Sequence, residues 1–222
     1  MTRKPPFKTK KILIISEDKK SFPAYFEKIL LDKFEFKHGK KLPDKNDRLF
    51  VKTRPEPEHH DQIFTTISHV SSNPLYIVKY GNSKSSNFDK IYCVFDKLKN
   101  YGDNSYRDAM RLPLKSNVDR INSDPSYEFW LIMHFTDSRV EYKNDDAAIE
   151  KLEELVRKKT GNKKFKYSKK SAFPKELSKV VIEKLPDAIK NAKKIEKLNS
   201  QDGSTEPFTK IYELIEYFQN NF

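Results

Sequence analysis

Two carboxylates stand out for what precedes them in the chain. Glu17 follows the apolar run Lys11-Ile12-Leu13-Ile14-Ile15-Ser16, and Asp96 ends the run Ile91-Tyr92-Cys93-Val94-Phe95. A short continuous apolar run is the pattern of a strand buried on both faces of a parallel sheet. Open α/β sheets gather functional groups at the carboxyl ends of such strands. Two carboxylates brought together there make a hard-oxygen site for Mg²⁺ or Mn²⁺. An ion so held can activate water and neutralise a phosphodiester in its transition state. The competing reading is of two surface acids that flank strands by chance. Lys19, Lys20 and Lys97 lie beside these acids in sequence and are candidate phosphate contacts, or a plain solvated surface. His134 more often packs or hydrogen-bonds than catalyses. The pair His59-His60 lacks a metal-site context.

These residues need elements to position them. Ser21 can cap a helix in which Phe22, Tyr25, Phe26, Ile29 and Leu30 fall on one face. Residues 37–48 read as a loop and Leu49–Val51 as a strand. Helical stretches are expected near 58–71 and 74–82, a loop over 82–88, and a short helix near 106–112. Val118–Ile121 reads as a further strand. In Ser123-Asp124-Pro125, Asp124 is the expected cap and Pro125 the first position of a buried helix running from Tyr127 to Phe135 with Trp130 inside it. Beyond about residue 136 the strand signals stop. Helical spacing is seen in Ile149, Leu152, Leu155 and Val156, in Ile189, Ala192 and Ile195, and from Phe208 to Phe218 behind Ser204-Thr205-Glu206-Pro207. Strand–helix alternation followed by helices predicts an α/β core over 11–135, a basic helical C-terminal region over 136–222 and a basic arm over 1–10.

The charge balance points to a partner class. Forty-four Lys and Arg against 32 Asp and Glu leave a net charge of +12, which favours polyanions, with nucleic acid ahead of an acidic membrane surface. The excess is uneven: Arg157 to Lys197 holds fifteen basic and four acidic residues, a net of +11. Within it Lys163, Lys164, Lys166, Lys169 and Lys170 are candidate nucleic-acid contacts, and the interleaved Phe165, Tyr167 and Phe173 could stack on bases. The alternative is a solvated lysine-rich surface over ordinary core aromatics. At 34% charged and 36% hydrophobic residues the composition leans toward disorder, but 16 Phe and 11 Tyr supply a core.

Several classes are excluded. Cys93 is the single cysteine, so a disulfide scaffold and a cysteine-based zinc site are ruled out, which suits a reducing cytoplasm. No apolar stretch approaches 18 residues, and the N-terminus lacks the apolar region of a signal peptide. With five glycines there is neither G-x-x-x-x-G-K-[ST] nor G-x-G-x-x-G, so any ATP would come through a partner.

Three segments carry a family resemblance. Ile12-Leu13-Ile14-Ile15-Ser16-Glu17 followed by Pro23-Ala24-Tyr25-Phe26 resembles the first motif of the RloB-like family. Asp89-Lys90-Ile91-Tyr92-Cys93-Val94-Phe95-Asp96-Lys97 is similar to its central motif. Ser123-Asp124-Pro125-Ser126-Tyr127-Glu128-Phe129-Trp130-Leu131-Ile132-Met133-His134-Phe135 resembles its most distinctive stretch, S-N-P-x-F-E-x-W-L-L-x-H-F. Asn191-Ala192-Lys193-Lys194 and Gly203-Ser204-Thr205 also fit, in the right order. The resemblance implies a Toprim-type fold that holds divalent metal with a Glu after the first strand and an Asp-x-Asp after a later one. It further implies a nuclease effector of anti-phage defence, cutting DNA or RNA, tRNA included, beside an ABC- or AAA-type ATPase. By position Glu17 is then the general base or metal-linked acid and Asp96 the main metal ligand. Glu128 is a third carboxylate, or an acid that only favours its helix N-terminus.

The chain departs from that pattern at the metal site. Leu98 stands where the second Asp of Asp-x-Asp is expected, Asp18 stands where the family has Gly, and Ser21-Phe22 replaces Thr-Glu. Two outcomes follow. Either Asp103 or Asp18 substitutes as ligand and the site works, or the protein is a non-catalytic adaptor that binds nucleic acid or the ATPase without cutting. The expectation is an Mg²⁺- or Mn²⁺-dependent nuclease, cytoplasmic, with no membrane partner and with room for a homo-oligomer.

Overall fold

The computed structural model describes residues 9–42, 44, 46–55, 60–97, 104–171 and 173–222. Leu98, Asp103, His59 and residues 1–8 of the expected arm therefore lie outside the described residues; Thr9 and Lys10 already belong to the first strand.

A seven-stranded mixed sheet is flanked by helices, an α/β architecture, in the order β2-β3-β4-β1-β5-β6-β7. Its centre is parallel. Strand β1 (Thr9–Ser16) lies between β4 (His60–Ser68) and β5 (Lys90–Asp96), and β5 pairs in parallel with β6 (Val118–Asp124). The edges are antiparallel: β2 (Lys37–His38) and β3 (Arg48–Pro55) on one side, β7 (Phe208–Thr209) on the other.

Alternation along the central strands divides the core. Ile12, Ile14, Tyr92, Val94 and Ile121 face one way and pack with α1 (Ser21–Asp32), α4 (Tyr127–Met133), α5 (Asp145–Thr160), α6 (Lys175–Glu183), α7 (Leu185–Asp202) and α8 (Ile211–Asn221). Leu13, Ile15, Ile91, Cys93 and Phe95 face the other and pack with α2 (Pro74–Lys84) and α3 (Ser105–Arg111). Both faces are covered, so the strands read as apolar runs. The chain beyond residue 136 contributes both an edge strand and a large share of the first core. No helix among the described residues is long and apolar enough to cross a membrane.

Several expectations are corrected. Residues 60–68 form β4 rather than a helix: Ile63, Thr65 and Ile67 are buried while Gln62, Phe64 and Thr66 are half-buried, a period of two in a run rich in β-branched residues. Lys37–His38 breaks the expected 37–48 loop by pairing with Val51 and Phe50. Residues 82–88 begin as the last turn of α2 and continue as a 3₁₀ turn, Ser85–Asn87. Helix α6 was not legible. Asp124 does not cap a helix: it ends β6 opposite Phe208, and α4 begins only at Tyr127. Likewise Phe208 and Thr209 are strand, and α8 starts at Ile211. Both corrections have one cause, the pairing of Ser123 and Asp124 with Thr209 and Phe208, joined by the Ser123–Thr209 hydroxyl contact at 2.8 Å. That partner lies far along the chain, where local propensity cannot see it.

Candidate carboxylate site

The parallel register of β1 and β5 sets Ser16 against Val94, and the Glu17 N–H donates to the Val94 carbonyl at 3.1 Å. This carries Glu17 past the end of β1, opposite Phe95 and one residue short of Asp96, the last residue of β5. The connection from β4 to α2 braces it, with His69 Nδ1 2.9 Å from the Ser16 carbonyl and Ser72 Oγ donating to the Glu17 carbonyl at 3.2 Å.

The two acids meet. Both side chains line the same cavity, and each acts on the ionisation of the other. Two buried carboxyls in one cavity cannot both ionise freely. Burial first, opposed by the Asp96 N–H and by Lys169, pushes Glu17 up to about 7. Burial and then the Glu17 charge raise Asp96 well above the usual carboxylate range.

Both acids open into a cavity of about 280 Å³ lined by Glu17, Asp18, Ser72, Asp96, Tyr127, Glu128, Asp145 and Lys169. Glu128 is fully buried in the first turn of α4. Ser126 Oγ donates to it at 2.7 Å and the Tyr167 hydroxyl at 3.2 Å, and Lys169 Nζ lies 2.9 Å away. Asp145 opens α5 behind the Asn144 cap, whose side chain accepts from the Ala147 N–H, and pairs with Lys169 at 3.2 Å. The Tyr127 hydroxyl is buried with no hydrogen-bond partner among the described residues.

The residues singled out from sequence fall into distinct places. Glu17, Asp96 and Glu128 converge on the cavity. Asp18 lines it too, but its oxygens each accept a backbone N–H at 2.8 Å, from Lys20 and Phe22. Asp18, not Ser21, thus satisfies a first-turn N–H of α1, whose N-cap position is Lys20, and this leaves it a poor substitute ligand; Ser21 hydrogen-bonds Tyr167 instead. Asp103, the other substitute, lies outside the described residues. Lys97 turns away to Asp124, at 2.8 Å, and to Glu206, which neutralise the charge a phosphate contact needs. Lys169 is inside the acid cluster rather than on an open surface. Lys20 donates to the Lys170 carbonyl at 2.7 Å, and Lys166 pairs with Glu153 at 2.9 Å. Lys19, Lys163, Lys164, Lys166 and Lys170 are exposed. Phe165 and Tyr167 are buried and Phe173 packs against the core, so none is a stacking platform for bases.

His134 is a structural residue. Its Nδ1 lies 3.1 Å from the Trp130 carbonyl and its Nε2 3.4 Å from the Tyr25 hydroxyl, which accepts from Trp130 Nε1 at 2.8 Å. The network assigns the proton to Nδ1 and makes Nε2 the acceptor. Burial pulls its pKa down to about 4.

Asp145, Tyr127 and Ser72 were missed. A first-turn acid, an apolar-helix tyrosine and a loop serine carry no local signal of a shared cavity.

The fit to a divalent ion rests on donor chemistry. Among the described residues no group of three or more His, Cys, Asp or Glu is arranged to hold a metal. Mg²⁺ needs less than that, because it keeps several waters and is commonly held by one or two carboxylates plus substrate phosphates. The paired Glu17 and Asp96 oxygens meet this requirement.

No curated protein matches the chain at a significant level. The profile of the family described as RloB-like protein matches residues 12–218, from β1 to α8. The chain therefore belongs to the RloB-like family.

Proposed function

We propose that the protein is a divalent-metal-dependent nuclease of Toprim type, an effector of anti-phage defence that acts on RNA, tRNA included, or on DNA, together with an ABC- or AAA-type ATPase. The observation that carries this reading is the Glu17–Asp96 pair at the carboxyl ends of two adjacent parallel strands, open to a cavity of about 280 Å³. Glu17 and Asp96 would hold Mg²⁺ or Mn²⁺. The ion, when bound, supplies charge neutralisation at a phosphate and a more acidic water. Around it, Tyr127 lines the cavity wall, and Glu128 holds Lys169 in place. The exposed Lys19, Lys163, Lys164 and Lys170 supply positive charge for a polyanion.

The second reading is an adaptor that binds nucleic acid or the ATPase without cutting. It draws support from Lys169, whose ammonium already supplies a cation to the acids.

Calorimetric titration of Mn²⁺ into wild type, Glu17→Ala and Asp96→Ala separates the two. The nuclease reading expects wild-type binding that either substitution abolishes, and loss of phage protection in Glu17→Ala. Absence of binding by wild type, with protection intact in Glu17→Ala, would select the adaptor.

A further inference from the structure

One cation sits inside the acid cavity. Lys169 Nζ lies 2.9 Å from Glu128, 3.2 Å from Asp145 and 3.9 Å from Asp96. These acids come from three places in the chain: the first turns of α4 and α5 and the end of β5.

The segment that delivers the lysine is fastened on both sides of it. Gly161, at a φ of 75°, ends α5 in the left-handed conformation and turns the chain back. Arg157 Nε donates to the Phe165 carbonyl at 3.1 Å, and the Tyr167 N–H donates to Glu153 at 2.9 Å. The Tyr167 hydroxyl reaches Ser21 and Glu128. The Lys170 carbonyl accepts from Lys20 at 2.7 Å. Lys169 is thus held at the cavity by its neighbours, while its side chain keeps 31% exposure and a path to solvent.

We propose that Lys169 is the built-in counter-cation of the Glu17–Asp96 site and sets its affinity for a divalent metal. The inference rests on the metal reading above. A divalent ion arriving at Asp96 meets an ammonium already 3.9 Å away. Like charges repel strongly across a partly desolvated cavity. The ammonium also spends the negative potential that would draw the metal in. Lys169 is the component that can leave: without it Glu128 keeps the Ser126 and Tyr167 hydroxyls, and Asp145, at a helix N-terminus, remains well placed for an anion. Glu17 and Asp96 stay in place, fixed at the ends of β1 and β5.

The test is titration of MnCl₂ into the full chain as wild type, Lys169→Met and Lys169→Arg at low ionic strength. Lys169→Met keeps the length of the side chain and removes its charge; Lys169→Arg keeps the charge. Lys169→Met is expected to bind about tenfold more tightly than wild type, and Lys169→Arg about as weakly as wild type. The Mn²⁺-induced rise in Tm gives the same comparison for a variant that is less stable without metal, and it too should be larger in Lys169→Met. Equal or weaker binding by Lys169→Met, with wild type binding, overturns the role of Lys169 and leaves the metal reading standing. Absence of binding by both overturns the metal reading and this inference together. Tight binding that survives in a Lys169→Met, Glu17→Ala double variant places the ion elsewhere and also overturns it.

Discussion

The Glu17 N–H donates to the Val94 carbonyl at 3.1 Å, which sets Glu17 beside the end of β5 and in one cavity with Asp96. Two strand ends are thereby joined by a pair of acids that cannot both ionise freely without a cation. Burial raises both, so in the metal-free protein the pair favours low pH. The unfolded chain releases the Glu17 proton near its ordinary 4.5 and the folded chain at about 7, so stability falls as pH rises through that window. Glu17→Gln is expected to reduce this slope, leaving the part that burial of Asp96 contributes. Urea denaturation between pH 5 and 8 checks it, and an unchanged slope in the variant would contradict the raised pKa of Glu17.

His134 acts with the opposite sign. It is neutral when folded down to about pH 4, whereas an unfolded histidine takes a proton near 6.5. The unfolded state therefore binds more protons between those values, and stability rises with pH there, by about 3 kcal/mol in all. His134→Gln should flatten that rise while costing stability at pH 7 through its lost contacts with Tyr25 and Trp130. The windows of His134 and Glu17 overlap, so each variant should expose the slope of the other.

The Tyr127 hydroxyl is buried beside the acids without a partner. Removing an unsatisfied buried polar group does not carry the usual cost of a lost hydrogen bond. Tyr127→Phe is expected to keep the wild-type Tm or raise it by up to about 1 kcal/mol of stability. Any deficit should appear in binding of nucleic acid in the presence of Mn²⁺. A fall in Tm of the free protein would show that the hydroxyl is already bonded.

Gly81 lets α2 approach the sheet. A Cβ there would lie 2.7 Å from Cys93 Sγ on β5 and 3.5 Å from Ile15 and Ile91. Gly81→Ala should cost about 1–3 kcal/mol by overpacking. Adding Cys93→Ala removes the sulfur and should recover part of the loss, so a double-mutant cycle by denaturant melts would show coupling. Strict additivity would refute the contact.

Glu153 organises the segment that carries Lys169. It is buried and held by Arg157, by Lys166 at 2.9 Å and by the Tyr167 N–H at 2.9 Å. Glu153→Ala should cost about 2–3 kcal/mol, because a buried N–H and two cations lose their acceptor. Hydrogen exchange should speed up over residues 163–171 more than over α1. Uniform acceleration would mean that the segment has no stability of its own.

Much of this architecture was legible in the linear order of residues. Lys11–Ser16 and Ile91–Phe95 are apolar on both faces, which only a covered strand requires. Phe22, Tyr25, Phe26, Ile29 and Leu30 repeat with the helical period, and the acids at 17 and 96 follow directly from where the strands end. The distinctive run around Glu128 and Trp130 carried the family. All of these are local signals, because each residue's neighbours in sequence are also its neighbours in the element.

What the tertiary structure alone decided is pairing across distance. Residues 60–68 become a strand because β1 and β3 lie on either side of them. Ser123–Asp124 and Phe208–Thr209 end as strand because each completes the hydrogen bonds of the other. The lysine-rich stretch from Arg157 to Lys197 reads as one basic surface in sequence. In the folded chain Phe165 and Tyr167 are core, and Lys169 enters the acid cavity while Lys163 and Lys164 stay outside. A side chain's charge is set by its own atoms, but its partner is set by which elements the core brings together, and no spacing rule along the chain contains that.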